Sequence, residues 1–281
     1  ARTAPPKRRE LPVPPLPEAD CTAEAPRLTI SVARLEQLSP ALLELGCPAR
    51  VYIPLEEVSR LESLPGEGPE WCAVLPRVWR DRDEPALRTL LERARALGFT
   101  GVLIGNLGHL PLVRGLNFHL YGDYGLNVFN SRSLAYLKDK ELESACVSFE
   151  LRFAQIRDLS KAIPMEAIVY GQLPLMITEN CIIHNHSGRH TCANVNLLTD
   201  RKGERFPVVK APGCRNEILN SKKLFLADKA GDWQRLGLWA GRLMFTTENA
   251  RECVQVLERY LGRGSYQPND YTRGLYYRGV E

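Results

Sequence analysis

From Arg27 onward the chain alternates between short, almost continuously apolar runs and longer stretches with apolar residues at helical spacing. LTISVA (28–33), ARVYIP (49–54), CAVLPRV (72–78), GVLIGN (101–106), NFHLYGD (117–123), ACVSFE (145–150), AIVYG (167–171) and GRLMFTT (241–247) read as eight strands. Between them, Leu87, Leu90, Leu91, Ala94 and Leu97 form one helical stripe, with Asp83 placed to cap it, Pro85 in its first turn and Gly98 at its stop. Ala250, Cys253, Val254, Leu257 and Leu261 form another. Strands apolar on both faces imply a parallel sheet covered by helices. Eight of them predict an α/β fold closed as a TIM-like βα barrel over 27–261, with an open doubly wound sheet as the alternative.

In a barrel, chemistry gathers in the loops after the strand ends. There stand Asn106 and Gly108 after the fourth strand, His119, Asp123, Asn127 and Asn130 along or after the fifth, Glu150 at the end of the sixth, and Glu179 after the seventh. His119, Asp123, Asn127, Glu150 and Glu179 are the candidate catalytic residues. Each has a plainer explanation: Asn127, Asn130 and Ser131 suit a turn and a helix cap, and His119 suits a satisfied core position.

The first 26 residues differ in kind. Pro occupies positions 5, 6, 12, 14, 15 and 17, the composition of an extended linker. Without an initial Met or a signal-like apolar region, the chain is expected to be the C-terminal part of a longer polypeptide, with that N-terminal part as a partner. No apolar run nears the ~18–20 residues of a membrane span. Charge decides little: 37 basic against 33 acidic residues leave +4. Between Arg201 and Lys223, however, seven residues are basic (Arg201, Lys202, Arg205, Lys210, Arg215, Lys222, Lys223) against Glu204 and Glu217. Arg201, Lys202, Arg215 and Lys222, with Arg273 in the tyrosine-rich tail 262–281, are candidate nucleic-acid contacts; a solvated loop surface explains such a cluster equally well.

Eight cysteines invite a disulfide reading, but length and patterning argue for a reduced, cytoplasmic setting. Cys47, Cys72, Cys146 and Cys253 sit in apolar patterns and read as buried thiols. PLMITENCIIHNHSGRHTC (174–192) is different. It opens an insertion, 172–240, far longer than the ~2–6 residues of an ordinary barrel loop. A metal or cluster gripped by Cys181, Cys192 and Cys214 would hold such a loop together better than a disulfide. No zinc-finger CxxC pair occurs.

EAIVYGQLPLMITENC (166–181), LLTDRKGERFPVV (197–209), GCRNEILNSKKLFL (213–226) and YTRGLYYRGV (271–280), with LPRV, GVLIGNLGHL, YGDYGLNVFNS and VSFEL upstream, resemble the collagenase-like peptidases, family 32 among peptidases of unknown catalytic type. The resemblance covers nearly everything after Arg27 and matches the half that follows an inserted domain in long members. It implies a βα barrel whose cysteines hold an iron–sulfur cluster in several members. It further implies hydroxylation, in relatives, of uridine in transfer RNA with prephenate involved, of cytidine in ribosomal RNA, or of a ubiquinone precursor. Cys181, Cys192 and Cys214 match three of the usual four cysteines. His184, His186 or His190 would then complete an iron site, or zinc would take its place. The expected activity is RNA-base hydroxylation. The alternatives are a peptidase, for which no GxSxG or HExxH is present, and a non-catalytic RNA-binding or subunit-pairing module.

Overall fold

The computed structural model describes residues 15, 16, 18, 21–46, 48–189, 191 and 195–280; Cys47, His190 and Cys192 lie outside them. Seven parallel strands come first: β1 (Arg27–Ser31), β2 (Pro48–Pro54), β3 (Glu70–Val74), β4 (Gly101–Ile104), β5 (His119–Gly122), β6 (Ser144–Cys146) and β7 (Met165–Gly171). The chain then leaves the barrel through β8 (Pro174–Thr178), β9 (Asn196–Thr199), β10 (Arg205–Ala211) and β11 (Arg215–Leu219). It returns through β12 (Lys223–Phe225) to β13 (Ala240–Met244), and β14 (Tyr271–Thr272) lies in the tail. Strand β13 pairs in parallel with both β7 and β1, Gly241 standing opposite Ala167 on one side and Leu28 on the other, which closes an eight-stranded barrel. The eight staves are the eight apolar runs of the sequence.

Helices cover the outside: α1 (Pro40–Glu44), α2 (Leu55–Val58), α3 (Glu84–Ala96), α4 (His109–Val113), α5 (Ser131–Asp139) and α6 (Phe153–Asp158), then α7 (Ile182–Ser187) in the inserted segment, and α8 (Ala230–Trp233) and α9 (Ala250–Tyr260) back on the barrel. Their stripes bury Leu87, Leu91 and Ala94 of α3 and Cys253, Val256 and Leu257 of α9. Asn130 caps α5 by accepting from the Ser133 amide at 2.9 Å. Asp83 precedes α3 without a side-chain cap bond; its carboxylate accepts from the Arg80 amide at 2.9 Å instead. No helix among the described residues is long and apolar enough to cross a membrane.

The inserted segment is an ordered layer of its own. Strands β8, β11, β10 and β9, in that order, make an antiparallel sheet, with α7 packed on it through Ile183, Val208 and Cys181. Gly171 marks the departure point: at φ 129, a Cβ there would lie 2.2 Å from the Met244 carbonyl oxygen, so only glycine fits. The tail does not stand apart. Strand β14 pairs with β12, the buried Tyr276 donates to the Ile168 carbonyl at 2.6 Å, and Arg273 binds Asp228 at 2.5 Å. At the opposite, N-terminal face, the Cys21 and Ala23 amides bond the carbonyls of Lys161 and Gly237.

Inside the barrel, where branched apolar side chains are usual, this sequence places charge. At the floor, Arg50 binds Glu70 at 2.8 Å, with its guanidinium carbon 3.3 Å from the Tyr121 ring centroid and 4.6 Å from that of Trp239. One level up, Arg242 of β13 binds Glu166 of β7 through Nε at 2.8 Å and through Nη2. Thr29 and Tyr52 also donate to Glu166. The third arm of Arg242 reaches Asp123, after β5, at 2.6 Å. All three ionic partners are almost wholly buried. Removing one member of a buried ionic set strands the others without compensation, at a cost of ~3–5 kcal/mol. Arg242→Met is expected to lower the unfolding free energy by that amount in urea titrations, and adding Glu166→Gln to recover part of the loss.

Candidate functional site

Glu179 of the cap, just after β8, accepts from both Arg215 Nε and Nη2 at 2.9 Å and from Arg80 at 2.6 Å, which holds its carboxyl down to about 2. Glu217 of β11 binds Arg77 at 3.0 Å. Arg77 and Arg80 both stand on the loop that follows β3, so two ionic contacts fasten the antiparallel sheet over the C-terminal mouth of the barrel. The alternation of side chains along strands makes this consistent. Val209 lies directly opposite Glu217, whereas Val208 and Ile218, opposite each other, belong to the other face with α7.

Beneath this roof the mouth gathers a small set of groups. Asp123 is buried and tied to Arg242. The Arg77 guanidinium lies 5.2 Å from the Tyr124 ring centroid, and Tyr124 tilts against Phe149 at 5.8 Å. Burial, with the carboxylates of Glu217 and Asp123 nearby, raises the Tyr124 phenol well above its ordinary range. Burial likewise raises the Glu217 carboxyl, although Arg77 opposes it. The mouth therefore holds a carboxylate fixed by a guanidinium, a carboxyl that retains its proton more readily, and two aromatic rings. Such groups can accept and donate hydrogen bonds and flank a planar substrate.

The candidates from sequence separate clearly. Asp123 and Glu179 lie at the mouth and its rim. Glu150 follows β6 half-buried, and Asn127 is exposed in a left-handed turn at φ 49. His119 was expected among the mouth residues but begins β5, at the opposite end of the barrel; it is exposed and paired with Glu143 at 2.6 Å. Three of the five nucleic-acid candidates are committed to ion pairs: Arg215 to Glu179, Lys222 to Asp270 at 3.1 Å, and Arg273 to Asp228. Arg215 is moreover only 3% exposed. Arg201 and Lys202 stand exposed in the turn between β9 and β10.

For the thiols, strand register supplies the geometry. Thr178 pairs with Asn216, the last pair of the β8–β11 ladder, so Cys181, soon after β8, and Cys214, just before β11, lie toward the same end of the sheet. Cys181 is buried with Ile183 and Val208 on the α7 side, behind the mouth, and accepts the His184 amide at 3.4 Å, whereas Cys214 is exposed. His186 projects exposed from α7, where a residue two places from His184 points elsewhere. Among the described residues no group of three metal-binding side chains assembles, and the third thiol, Cys192, and His190 lie outside them. Cys181, cradled by a helix-end amide, and Cys214 are donors of the type that zinc or an iron–sulfur centre takes.

Several functional-looking groups escaped the sequence reading. Arg242 and Glu166 sit within or beside apolar runs; a charge inside a strand was the available signal. Glu248, wholly buried after β13, accepts from Tyr170 at 3.1 Å, Lys223 at 2.9 Å and the Thr246 amide at 2.7 Å. A groove of about 870 Å³ on the barrel flank, lined by Leu126, Val128, Phe129 and Tyr136 and touched by Leu16, is largely apolar and lies apart from these groups.

His109, after β4, is wholly buried; its Nε2 meets the Pro76 carbonyl at 3.1 Å while Nδ1 has no hydrogen-bond partner among the described residues. Burial lowers its pKa from 6.5 to about 4. A depressed folded-state value means that the unfolded chain binds the proton first. His109 thus supports the fold fully above pH 6.5 and loses up to about 3 kcal/mol of that support as pH falls toward 4. In His109→Gln, which keeps a donor for Pro76, chemical denaturation should show a shallower loss of stability across that window.

No curated protein matches the chain. Among the solved structures that resemble it are two at low identity. "The Structure of the U32 Peptidase Mk0906" gives 9% identity and a TM-score of 0.46, covering 88% of this chain and all of that one. The spore cortex-lytic enzyme SleL of Bacillus megaterium QM B1551 gives 10% identity and a TM-score of 0.38, covering 89% and 78%. Neither likeness is close enough to carry an argument about the site. The family comparison is more direct: residues 64–196, from the segment before β3 to the first residue of β9, match the model of peptidase family U32.

Proposed function

We propose that this chain is a U32 family enzyme that hydroxylates a pyrimidine base of transfer or ribosomal RNA, working at the roofed mouth of the barrel. The observation that supports the reading is the placement of Cys181 and Cys214 toward one end of the sheet that is fastened to Arg77 over Asp123 and Tyr124. Cys181 and Cys214, with Cys192 as third thiol, would hold an iron–sulfur cluster, or zinc in its place. Such an iron centre supplies electron transfer or activation of an oxygen donor, prephenate being the donor that the family resemblance suggests. The chain's own groups do the rest. Tyr124 and Phe149 offer faces for a splayed base, Asp123, bound to Arg242, offers an acceptor, and Arg201 and Lys202 on the cap offer phosphate contacts.

A second reading, hydrolysis of a peptide, draws on the family's name and on the two carboxyl groups at the mouth, held in different electrostatic settings as acid–base chemistry requires. Nucleophilic thiol catalysis from inside the barrel is disfavoured, because burial raises both Cys72 and Cys146 and keeps them protonated.

The test compares nucleosides from both RNA classes in cells with and without the gene. One hydroxylated pyrimidine should vanish on deletion, return with the wild-type gene and stay absent with Cys181→Ser. Protein purified without air should carry iron and sulfide that Cys214→Ser loses. Unchanged nucleoside profiles in both RNA classes would sink the proposal, and gelatin cleavage by the same protein would then favour the second reading.

A further inference from the structure

The barrel flank carries apolar surface that the site at the mouth does not use. The groove of about 870 Å³ there is lined from Asp158 and Leu159, at the foot of α6, to Leu107, Leu126 and Phe129, on the loops after β4 and β5. It therefore runs up the outside of the barrel from the N-terminal face toward the mouth. The chain enters at its lower end. The Cys21 amide bonds the carbonyl of Lys161, which lies between α6 and β7 on the N-terminal face, at 3.1 Å. Five residues earlier, Leu16 already lies against the groove. From Cys21 back to Leu16 the chain climbs the flank. Above Leu16 the groove stays open, for Leu107, Phe129 and Tyr136 are each at least 37% exposed.

We infer that residues 11–14 continue this climb and lie along the groove as a polyproline-type strap seated on Phe129 and Tyr136. The stretch LPVPPLP (11–17) has the composition of a polyproline helix. That helix repeats every three residues, which puts Val13 on the same side as Leu16, the side that meets the groove. Six residues in this form advance about 19 Å, whereas the nine residues of α5 span about 14 Å. Residues 11–16 are thus long enough to follow the groove to its upper end. Aromatic-lined troughs hold proline-rich segments well, because such a segment is already extended and loses little freedom on docking. Its prolines present carbonyl groups and no N–H. The groove supplies donors to match in the Tyr136 hydroxyl and the Gln155 side-chain amide, whose oxygen accepts from the Arg152 amide at 2.9 Å. The inference goes beyond the RNA-base reading and does not depend on it.

Two measurements on the full chain test it, both with substitutions that precede the first strand and leave the barrel intact. In the first, Val13→p-benzoylphenylalanine is irradiated and the crosslinked peptides are identified by mass spectrometry. The crosslink should form within one chain, onto Leu107 or residues 126–137. In the second, Tyr136 is nitrated with tetranitromethane in wild-type protein and in a Val13→Asp, Leu16→Asp variant. Charge on the groove side of the strap should unseat it, and Tyr136 should then react about tenfold faster, the consequence of losing roughly one large apolar contact. A crosslink that falls elsewhere on the chain, joins two chains or does not form overturns the inference. So does a Tyr136 nitration rate that is the same in wild type and variant.

Discussion

Arg242 is the constraint on which the barrel's interior depends. Its guanidinium joins β13 to β7 through Glu166 and to the end of β5 through Asp123, so one side chain ties the closing stave to two others across the lumen. In water such contacts are worth little. Inside the barrel they are worth more, and the cost of leaving any one group unpaired is correspondingly severe. The same guanidinium passes that rigidity to the mouth, because Asp123 is both its partner and the innermost acidic group beneath the cap. Structure and site share an atom pair.

The cap turns an open barrel end into an enclosed one. It does so with few contacts, Glu179 on Arg80 and Glu217 on Arg77, and those contacts use charges that would otherwise face water at the mouth. Enclosure changes the chemistry of what lies below: the Tyr124 phenol and the Glu217 carboxyl hold their protons more tightly, and hydrogen bonds to a bound group strengthen as water leaves. Cys181 sits on the other face of the same sheet, packed with Ile183 and Val208.

Parts of this were legible along the chain. The eight staves could be read because strands buried on both faces must be apolar almost throughout, and the stripes of α3 and α9 because one helix face must be. Asp123 and Glu179 could be placed near the mouth because strand ends locate loops. His119 misled because it lies at the entry to a strand, not its exit, and a residue type carries no mark of strand direction. Arg215, Lys222 and Arg273 looked like phosphate ligands because sequence shows charge and hides partners; each has a carboxylate beside it that is distant in the chain. The inserted segment read as an irregular loop because the partners in its antiparallel sheet are far apart in sequence: β8 meets β11 across some forty intervening residues.

The sequence by itself determined the barrel, since burial on two faces leaves a periodic apolar record that no later contact erases. It also determined that thiols would crowd one segment. Only the tertiary structure decided which charges face each other, that Arg242 would bind Glu166 and Asp123, and that Glu217 would reach across to Arg77. Electrostatic partnership depends on distance in space, falls away within a few ångströms of contact and has no period along the chain.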